Sequence, residues 1–330
     1  MPSILLLGAT GCVGSHLVIA LKKEYPTFPV TAYLRNKSIE KYLYETAGVQ
    51  KIVYGTFEET EKLAALAKDH DIVINVGSSF DPVLTRAILA GLNQRPAGVK
   101  STLIHMSGAG NFVDTESNTG IANPNCKVWN DSNVKDMELI NSGMLNGAPD
   151  EVILNAGKEG KIGTYILFPT ALYGRSTGPV KSPGVIQSLM IRQAKELGYV
   201  PYIGDGTVRF NTMHVLDIIP PLLRMIDLSL QEETPQGSVY ERCYIIGANL
   251  NRWIELSAKF AEVFHARGLI PSPIPKSIKR EDVDDGGELA MLMSRDQLFL
   301  SERAEKTLGY KPTQKPLVED LQTALEYFDL

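Results

Sequence analysis

The chain has 330 residues, 44% of them hydrophobic and 22% charged, the composition of an ordinary globular protein with one large or two modest domains. Its formal net charge is −5 and it has no basic run or aromatic–basic stripe, which argues against a nucleic-acid partner. No apolar run is long enough to cross a bilayer, so no membrane partner is expected either.

In chain order, Met1-Pro2-Ser3 leads straight into Ile4–Leu7, an apolar run too short for a signal peptide's core and without a basic flank. That run reads as a buried strand, and residues 15–23 as a helix with Leu17, Ala20 and Leu21 on one face. Val30–Leu34 and Lys51–Tyr54 are the next strands. A helix rich in Glu, Leu and Ala over 58–68, a strand over 72–76, a helix over 82–92 and a strand over Thr102–Met106 follow. Short apolar strands separated by amphipathic helices predict βαβ units, and hence a doubly wound parallel sheet with helices on both faces. Residues 111–125, rich in Gly, Asn, Ser and Thr, read as a flexible loop. The pattern resumes with a strand over 164–168 and helices over 183–197, 215–228 and 252–267. Residues 271–287 read as irregular surface, and 301–308 as a short helix. A final amphipathic helix over 316–328 places Leu317, Leu321, Leu325 and Phe328 on one face. The expected division is a nucleotide-binding domain over 1–170, to which segments such as 208–250 return, and a smaller discontinuous substrate lobe over 171–330. Cys12, Cys126 and Cys243 match no metal spacing, so no metal site and a cytoplasmic setting are expected.

Gly8-Ala9-Thr10-Gly11-Cys12-Val13-Gly14 follows the first strand and opens the first helix. Gly8 permits a tight turn, Gly11 leaves the helix N-terminus open to a pyrophosphate, and Gly14 lets helix and sheet pack closely, which is Rossmann logic. Thr10, Cys12 and Val13 complete the loop. The second strand ends on Arg35 and Lys37, with no acid before Glu40. A 2′-phosphate calls for cations there, so NADP(H) is the expected cofactor; the plain alternative is two solvated surface charges.

Five segments in order resemble the extended short-chain dehydrogenase/reductase superfamily, the epimerases, dehydratases and dihydroflavonol-type reductases. They are the glycine loop, Asn75-Val76-Gly77, Phe168-Pro169-Thr170-Ala171-Leu172-Tyr173-Gly174, Met213-His214-Val215-Leu216-Asp217 and Leu308-Gly309-Tyr310-Lys311-Pro312. The resemblance implies that Asn75, Val76 and Gly77 pass the cofactor, and that Phe168, Pro169 and Thr170 lie beside the nicotinamide. It also implies a Ser/Thr, a Tyr and a Lys for proton transfer. Ser107 matches the first. The Tyr-xxx-Lys pair is absent, because the only tyrosine between Ser107 and Phe168 is Tyr165, inside a strand. Alignment by distance puts Asn146 at the Tyr position and Asp150 at the Lys position. A branch with His-Arg-x-x-Asp there is the nearer resemblance, and Asn146-Gly147-Ala148-Pro149-Asp150 keeps only the Asp.

Asn146 supplies no proton at neutral pH. Asp150 is expected to hydrogen-bond the nicotinamide ribose, and Tyr173 is the alternative proton source or a packed tyrosine. His214 reads as a turn-holding histidine and His105 as core. Lys127, Asp131 and Lys135 read as the polar face of a helix near 128–140, or as pocket lining. Three functions stay open: an atypical NADP(H)-dependent oxidoreductase on a small-molecule carbonyl or alcohol, a nucleotide-binding sensor without turnover, and a non-redox isomerase, lyase or cyclase. A monomer or weak homodimer is expected, because Gly143, Gly147 and Pro149 interrupt the helix through which relatives pair.

Overall fold

Ile4–Leu7 forms strand β1 with all four side chains buried, as a run without polar alternation must be when both faces of a sheet are covered. The computed structural model describes residues 1–35, 37, 39–179, 184–231, 237–283 and 287–326. The expected helix start at 183, the helix end through Phe328 and part of the segment 271–287 lie outside the described residues. After β1 come α1 (Cys12–Glu24), β2 (Val30–Leu34), β3 (Lys51–Tyr54), α2 (Thr60–Lys68), β4 (Ile72–Asn75), α3 (Pro82–Asn93) and β5 (Thr102–Met106). Two short pieces follow, β6 (Trp129–Asn130) and α4 (Val134–Met137), where a single helix near 128–140 was expected. Next are α5 (Gly147–Lys158), β7 (Gly163–Pro169), β8 (Ala171–Tyr173), α6 (Val185–Leu197), β9 (Pro201–Ile203) and β10 (Arg209–His214). The chain continues through α7 (Ile219–Gln231), β11 (Cys243–Ile246), β12 (Asn249–Arg252) and α8 (Trp253–Ala266). It closes with β13 (Lys276–Ile278), α9 (Glu288–Ser294), β14 (Phe299–Leu300), α10 (Glu302–Leu308) and α11 (Leu317–Ala324).

The large sheet has seven strands in the order β11-β7-β5-β4-β1-β2-β3, all paired in parallel. The chain leaves β1 in one direction for β2 and β3, then returns on its other side for β4 onward. That reversal leaves a crevice at the carboxyl ends of β1 and β4, where open α/β sheets bind ligands. Residues of α1, α7 and α10 share one core with the sheet; those of α2, α3 and α5 share the other. The seventh strand, β11, was not expected by itself, although it falls within the segment 208–250 expected to return to the first domain.

A second core joins α6, α8, α9 and α11 around Phe210 and Trp253, whose rings stack at 4.8 Å. Carboxylates tie this lobe to the first. Arg209 forms an ion pair with Asp296, whose Oδ2 also accepts from Asn123 N. Asp217 accepts from Thr313 N, Thr313 Oγ1 and Gln314 N. The segment expected to be a flexible loop over 111–125 is anchored through Asn123, to Asp296 and Arg209, and through Ala122 N, to Thr207 Oγ1. The helix expected over 215–228 begins later, as a 3₁₀ turn at Val215–Ile218 and then α7. Pro220 and Pro221 sit in the first turn of α7, where a missing N–H costs nothing.

The glycine loop is fixed by contact distances. A Cβ on Gly14 would lie 1.9 Å from Gly8 O. Gly14→Ala is therefore expected to cost at least about 2 kcal/mol through forced separation of α1 from β1. Urea unfolding measures this, and an unchanged midpoint would refute the close approach.

Candidate functional site

At the carboxyl edge of β1, Gly8 has φ +90°, and a Cβ there would come within 2.7 Å of the Gly77 backbone. The turns after β1 and β4 thus touch, and Gly8 both supplies the left-handed conformation and leaves room for the contact. A Cβ on Gly11 would meet only Gly8 O, at 3.4 Å. Gly11 is the N-cap of α1 and carries no side-chain cap bond, so the first N–H groups of α1 stay available to an anion. Thr10 and Cys12 are half-buried beside them, while Val13 packs into the core. Burial pushes the Cys12 thiol up to about 12, so it is no nucleophile. A strap after Gly174 lies across the same helix: His16 Nε2 meets Arg175 O at 2.6 Å, and Thr177 bonds to Ser15 through both its N and its Oγ1. No sequence signal marked this strap.

Arg35 and Lys37 are both exposed beyond the end of β2. The Arg35 guanidinium lies 6.0 Å from the Phe57 ring centroid, and Lys37 Nζ lies 5.4 Å from that of Tyr54. The space between Phe57 and Gly77 is tight, with a Gly77 Cβ meeting the Phe57 ring at 3.0 Å.

Beneath the crevice runs a chain of buried polar groups. Asp150, on α5, is fully buried. Its Oδ2 accepts from Ser107 Oγ and from Asn111 Nδ2, each at 2.7 Å. Its Oδ1 has no hydrogen-bond partner and faces His105 Nε2, also unpartnered, at 3.8 Å. Asn75 fixes the histidine. Its Oδ1 accepts from Gly77 N and Ser78 N, so its Nδ2 donates to His105 Nδ1 at 3.1 Å. The ring proton therefore sits on Nε2, turned toward Asp150. Asn111 Oδ1 accepts from Asn146 N, and Asn146 Nδ2 donates to Ser79. Burial holds the Asp150 carboxyl up at about 7, with the Ser107 and Asn111 bonds pulling the other way. Burial pushes His105 down to about 3, so it is neutral at physiological pH.

The structure thus brings together three of the residues singled out as catalytic, Ser107, Asn146 and Asp150, and adds His105, Asn111 and Asn75. Two of the roles change. Asp150 lies behind Ser107 with no exposed atom, which removes it from the expected contact with the nicotinamide ribose. Asn146 is spent on tying α5 to the loop after β4. The Asn146–Asp150 stretch starts a helix and does not interrupt one: Asn146 occupies the N-cap, and a Cβ on Gly147 would lie 1.8 Å from Asn141 O. Pro149 sits in the first turn, where it is tolerated.

Of the two readings of Tyr173, the structure corrects the proton source and leaves the packed tyrosine: it is fully buried in the core of α6, α8, α9 and α11, and its hydroxyl donates to Lys315 O, just before α11. His214 accepts from Leu216 N and so holds the turn after β10, as expected. Phe168, Pro169 and Thr170 are buried at the end of β7, with Thr170 Oγ1 unpartnered. Lys127 pairs with Asp136, and Lys135 is exposed. Asp131 is neither pocket lining nor a helix face: it is buried, accepting from Ile245 N, Arg303 N and Ala304 N.

A cleft of about 670 Å³ opens beside the network, lined in part by Phe80, Asn111, Trp129, Met144, Met291 and Arg295. Asn111 belongs to both. A hollow of about 780 Å³ at the opposite edge of the sheet is lined by Lys100, Thr102, Gly163 and Tyr165 and holds none of the network. It lies at the amino ends of the strands, away from the crevice.

Residues 8–143 match the NAD(P)H-binding family model. An oxidase, UcsJ, of an Acremonium species is 22% identical over 98% of this chain and 96% of its own length. Among solved structures, the dTDP-glucose 4,6-dehydratase of Bacillus anthracis, in complex with NAD, superposes with a TM-score of 0.63 at 17% identity, covering 99% of this chain and 96% of that one. The UDP-glucuronic acid 4-epimerase of Bacillus cereus does so with a TM-score of 0.63 at 16% identity, covering 98% of each. The match to the NAD(P)H-binding family thus covers the glycine loop and strands β2 through β5, and the fold is of Rossmann type. More narrowly, its fold is the one shared by that dehydratase and that epimerase.

The raised Asp150 value has a consequence for stability. Between about pH 4 and about pH 7 the folded chain binds a proton at this site more tightly than the unfolded chain does. Stability contributed here is therefore present at low pH and falls as pH rises, by roughly 4 kcal/mol over the window. His105 acts oppositely, losing stability as pH falls below 6.5 toward 3. Asp150→Asn keeps an acceptor for Ser107 and Asn111 and removes the first effect. In urea unfolding the variant is expected to gain on the wild type from pH 4.5 to about pH 7 and to level off above it; a constant difference across that window would mean the carboxyl is not raised.

Proposed function

We propose that the protein is an NADP(H)-dependent oxidoreductase acting on a small-molecule carbonyl or alcohol. Ser107 touches the substrate oxygen, and Asp150 stores the proton behind it. The observation that carries this reading is the 2.7 Å bond between Ser107 Oγ and the fully buried Asp150 carboxyl. Burial holds that carboxyl near neutrality, the range suited to a general acid and base.

The cofactor's fit rests on the open face at Gly11, the uncapped start of α1 and the unpartnered Thr170 Oγ1, a hydroxyl left for a carboxamide. When bound, the nicotinamide supplies or accepts a hydride. Arg35 and Lys37 stand where a 2′-phosphate would meet cations, with no carboxylate pairing with them among the described residues.

In the direction of reduction, Ser107 donates its hydroxyl proton to the carbonyl oxygen. Asp150, protonated, donates to Ser107 Oγ in the same step, leaving the carboxylate held by Ser107 and Asn111. Alcohol oxidation runs the same transfers backward. His105 stays neutral and keeps water from Asp150 Oδ1. Asn75 keeps His105 in the tautomer that points Nε–H at the carboxylate, which favours the charge as it develops. A cytoplasmic setting and a monomeric or weakly dimeric state belong to this reading; Cys12, Cys126 and Cys243 are unpaired, as a reducing compartment requires.

NADPH oxidation against a panel of aldehydes and ketones tests turnover. Silence across the panel would favour a nucleotide sensor. On any substrate found, Ser107→Ala and Asp150→Asn are each expected to lower kcat by about 100-fold or more. Carbonyl reduction is expected to fall as pH rises through about 7, because the protonated carboxyl is the donor, and Asp150→Asn abolishes that limb. Tyr173→Phe is expected to leave kcat within about twofold, since its hydroxyl serves Lys315 and not the substrate. For nucleotide choice, Arg35→Ala is expected to weaken NADPH by about tenfold or more and leave NADH unchanged, by fluorescence titration. Equal loss for both would remove the 2′-phosphate argument.

A further inference from the structure

We infer that the cleft beside Asn111 takes an amphipathic organic anion. Its apolar body lies against Phe80, Trp129, Met144 and Met291, and its one carboxylate is bound by Arg295, with Arg280 at the rim. That this molecule is the substrate rests on the oxidoreductase reading; that the cleft binds it does not.

Arg295 is the informative residue. It lines the cleft and is half-buried, and its side chain's one hydrogen bond among the described residues runs from Nη1 to Asp114 O at 2.7 Å. Its Nε is buried without a partner, and no carboxylate among the described residues pairs with it. A guanidinium left this way is costly unless something else meets it. The chain answers the same need elsewhere. Arg209 and Arg95 each have a carboxylate, and Arg303 spends its donors on several carbonyls. The neighbouring Asp296 is already committed, since its two oxygens accept from Arg209 and from Asn123 N. Arg295 keeps a planar fork of donors for a group from outside, and a carboxylate matches that fork.

The rest of the cleft sets the other half of the ligand. Phe80 is 51% exposed in the uncomplexed chain, a large aromatic surface that a ligand would cover. Met144 and Met291 add unbranched, adaptable apolar walls. The lining holds two arginines and one carboxylate, Glu288, so it favours a single negative charge over a diphosphate. That distinguishes it from the sugar nucleotide in the epimerase of the same fold, whose complex holds UDP-glucuronic acid.

The test uses the full chain loaded with NADP⁺ and follows tryptophan fluorescence. Trp129 lines the cleft, whereas Trp253 is fully buried in the second lobe. Three probes are titrated: octanoate, octanamide and UDP-glucuronic acid. Octanoate is expected to bind at least about tenfold more tightly than octanamide. Arg295→Met is expected to abolish that preference while octanamide binds as before, which also reports that the cleft is still folded. Arg280→Met is expected to reduce it less. Equal binding of acid and amide, equal loss of both in Arg295→Met, failure of both to bind, or tighter binding of UDP-glucuronic acid would each overturn the inference. A protein that keeps the octanoate preference but oxidises no NADPH with any carbonyl loses only the oxidoreductase reading.

Discussion

The structure depends on the burial of one ionisable carboxyl. Asp150 has no exposed atom, and a carboxylate taken out of water is expensive unless it is neutralised or fully hydrogen-bonded. Two bonds on one oxygen hold it, and its other oxygen faces a neutral histidine. Three elements fix the partners: the end of β5 holds Ser107 and His105, the turn after it holds Asn111, and the end of β4 holds Asn75, which acts through His105. The carboxyl thus binds the carboxyl ends of two central strands to the start of α5. An apolar core of the same shape would be no less stable. What the polar network adds is a proton site at fixed depth below the crevice.

The first half of the chain was legible because its strands are short apolar runs and its helices carry a clear period, with α3 also capped by Asp81. Thr102–Met106 and Val30–Leu34 fall where the apolar runs begin and end. The second half was less so. Its strands β8, β9, β12, β13 and β14 are two to four residues long, too short for any periodicity to register. Strand β11, Cys243–Ile246, is buried throughout; its partner β7 lies more than seventy residues earlier, and nothing local marks such a pairing. Near Trp129 the expected helix gave way because a backbone contact with β14 outweighs local propensity.

At the site, residue types were legible and depth was not. The glycine spacing predicted a tight turn at Gly8 and a close approach at Gly14, which the φ of Gly8 and the Gly14 distance match, but not the contact between Gly8 and Gly77. Alignment found Asn146 and Asp150, but spacing does not say whether a side chain points into a crevice or beneath it. Tyr173 illustrates the same gap. A tyrosine in a segment beside the nicotinamide reads as a proton donor until a carbonyl more than one hundred residues later accepts its hydroxyl. Asn111 carried no signal, because an amide bears no charge to pattern, and Asn75 was marked for the cofactor and not for His105. They act by geometry, Asn75 fixing a tautomer and Asn111 filling an acceptor.

On the proposed reading, a buried acid stands in for a Tyr and Lys pair, and that changes the electrostatic problem. A phenol beside a lysine works by cationic lowering of a high pKa. Here the acid starts low and burial raises it, so both routes converge on a group that titrates near neutrality. The buried route has a structural consequence. Its acid has no access to solvent, so every proton must pass through a hydroxyl that is itself only 3% exposed. On the proposed reading, Ser107 is then both the contact with substrate and the sole gate to the store. Bulk pH then sets the occupancy of the Asp150 proton by way of that hydroxyl.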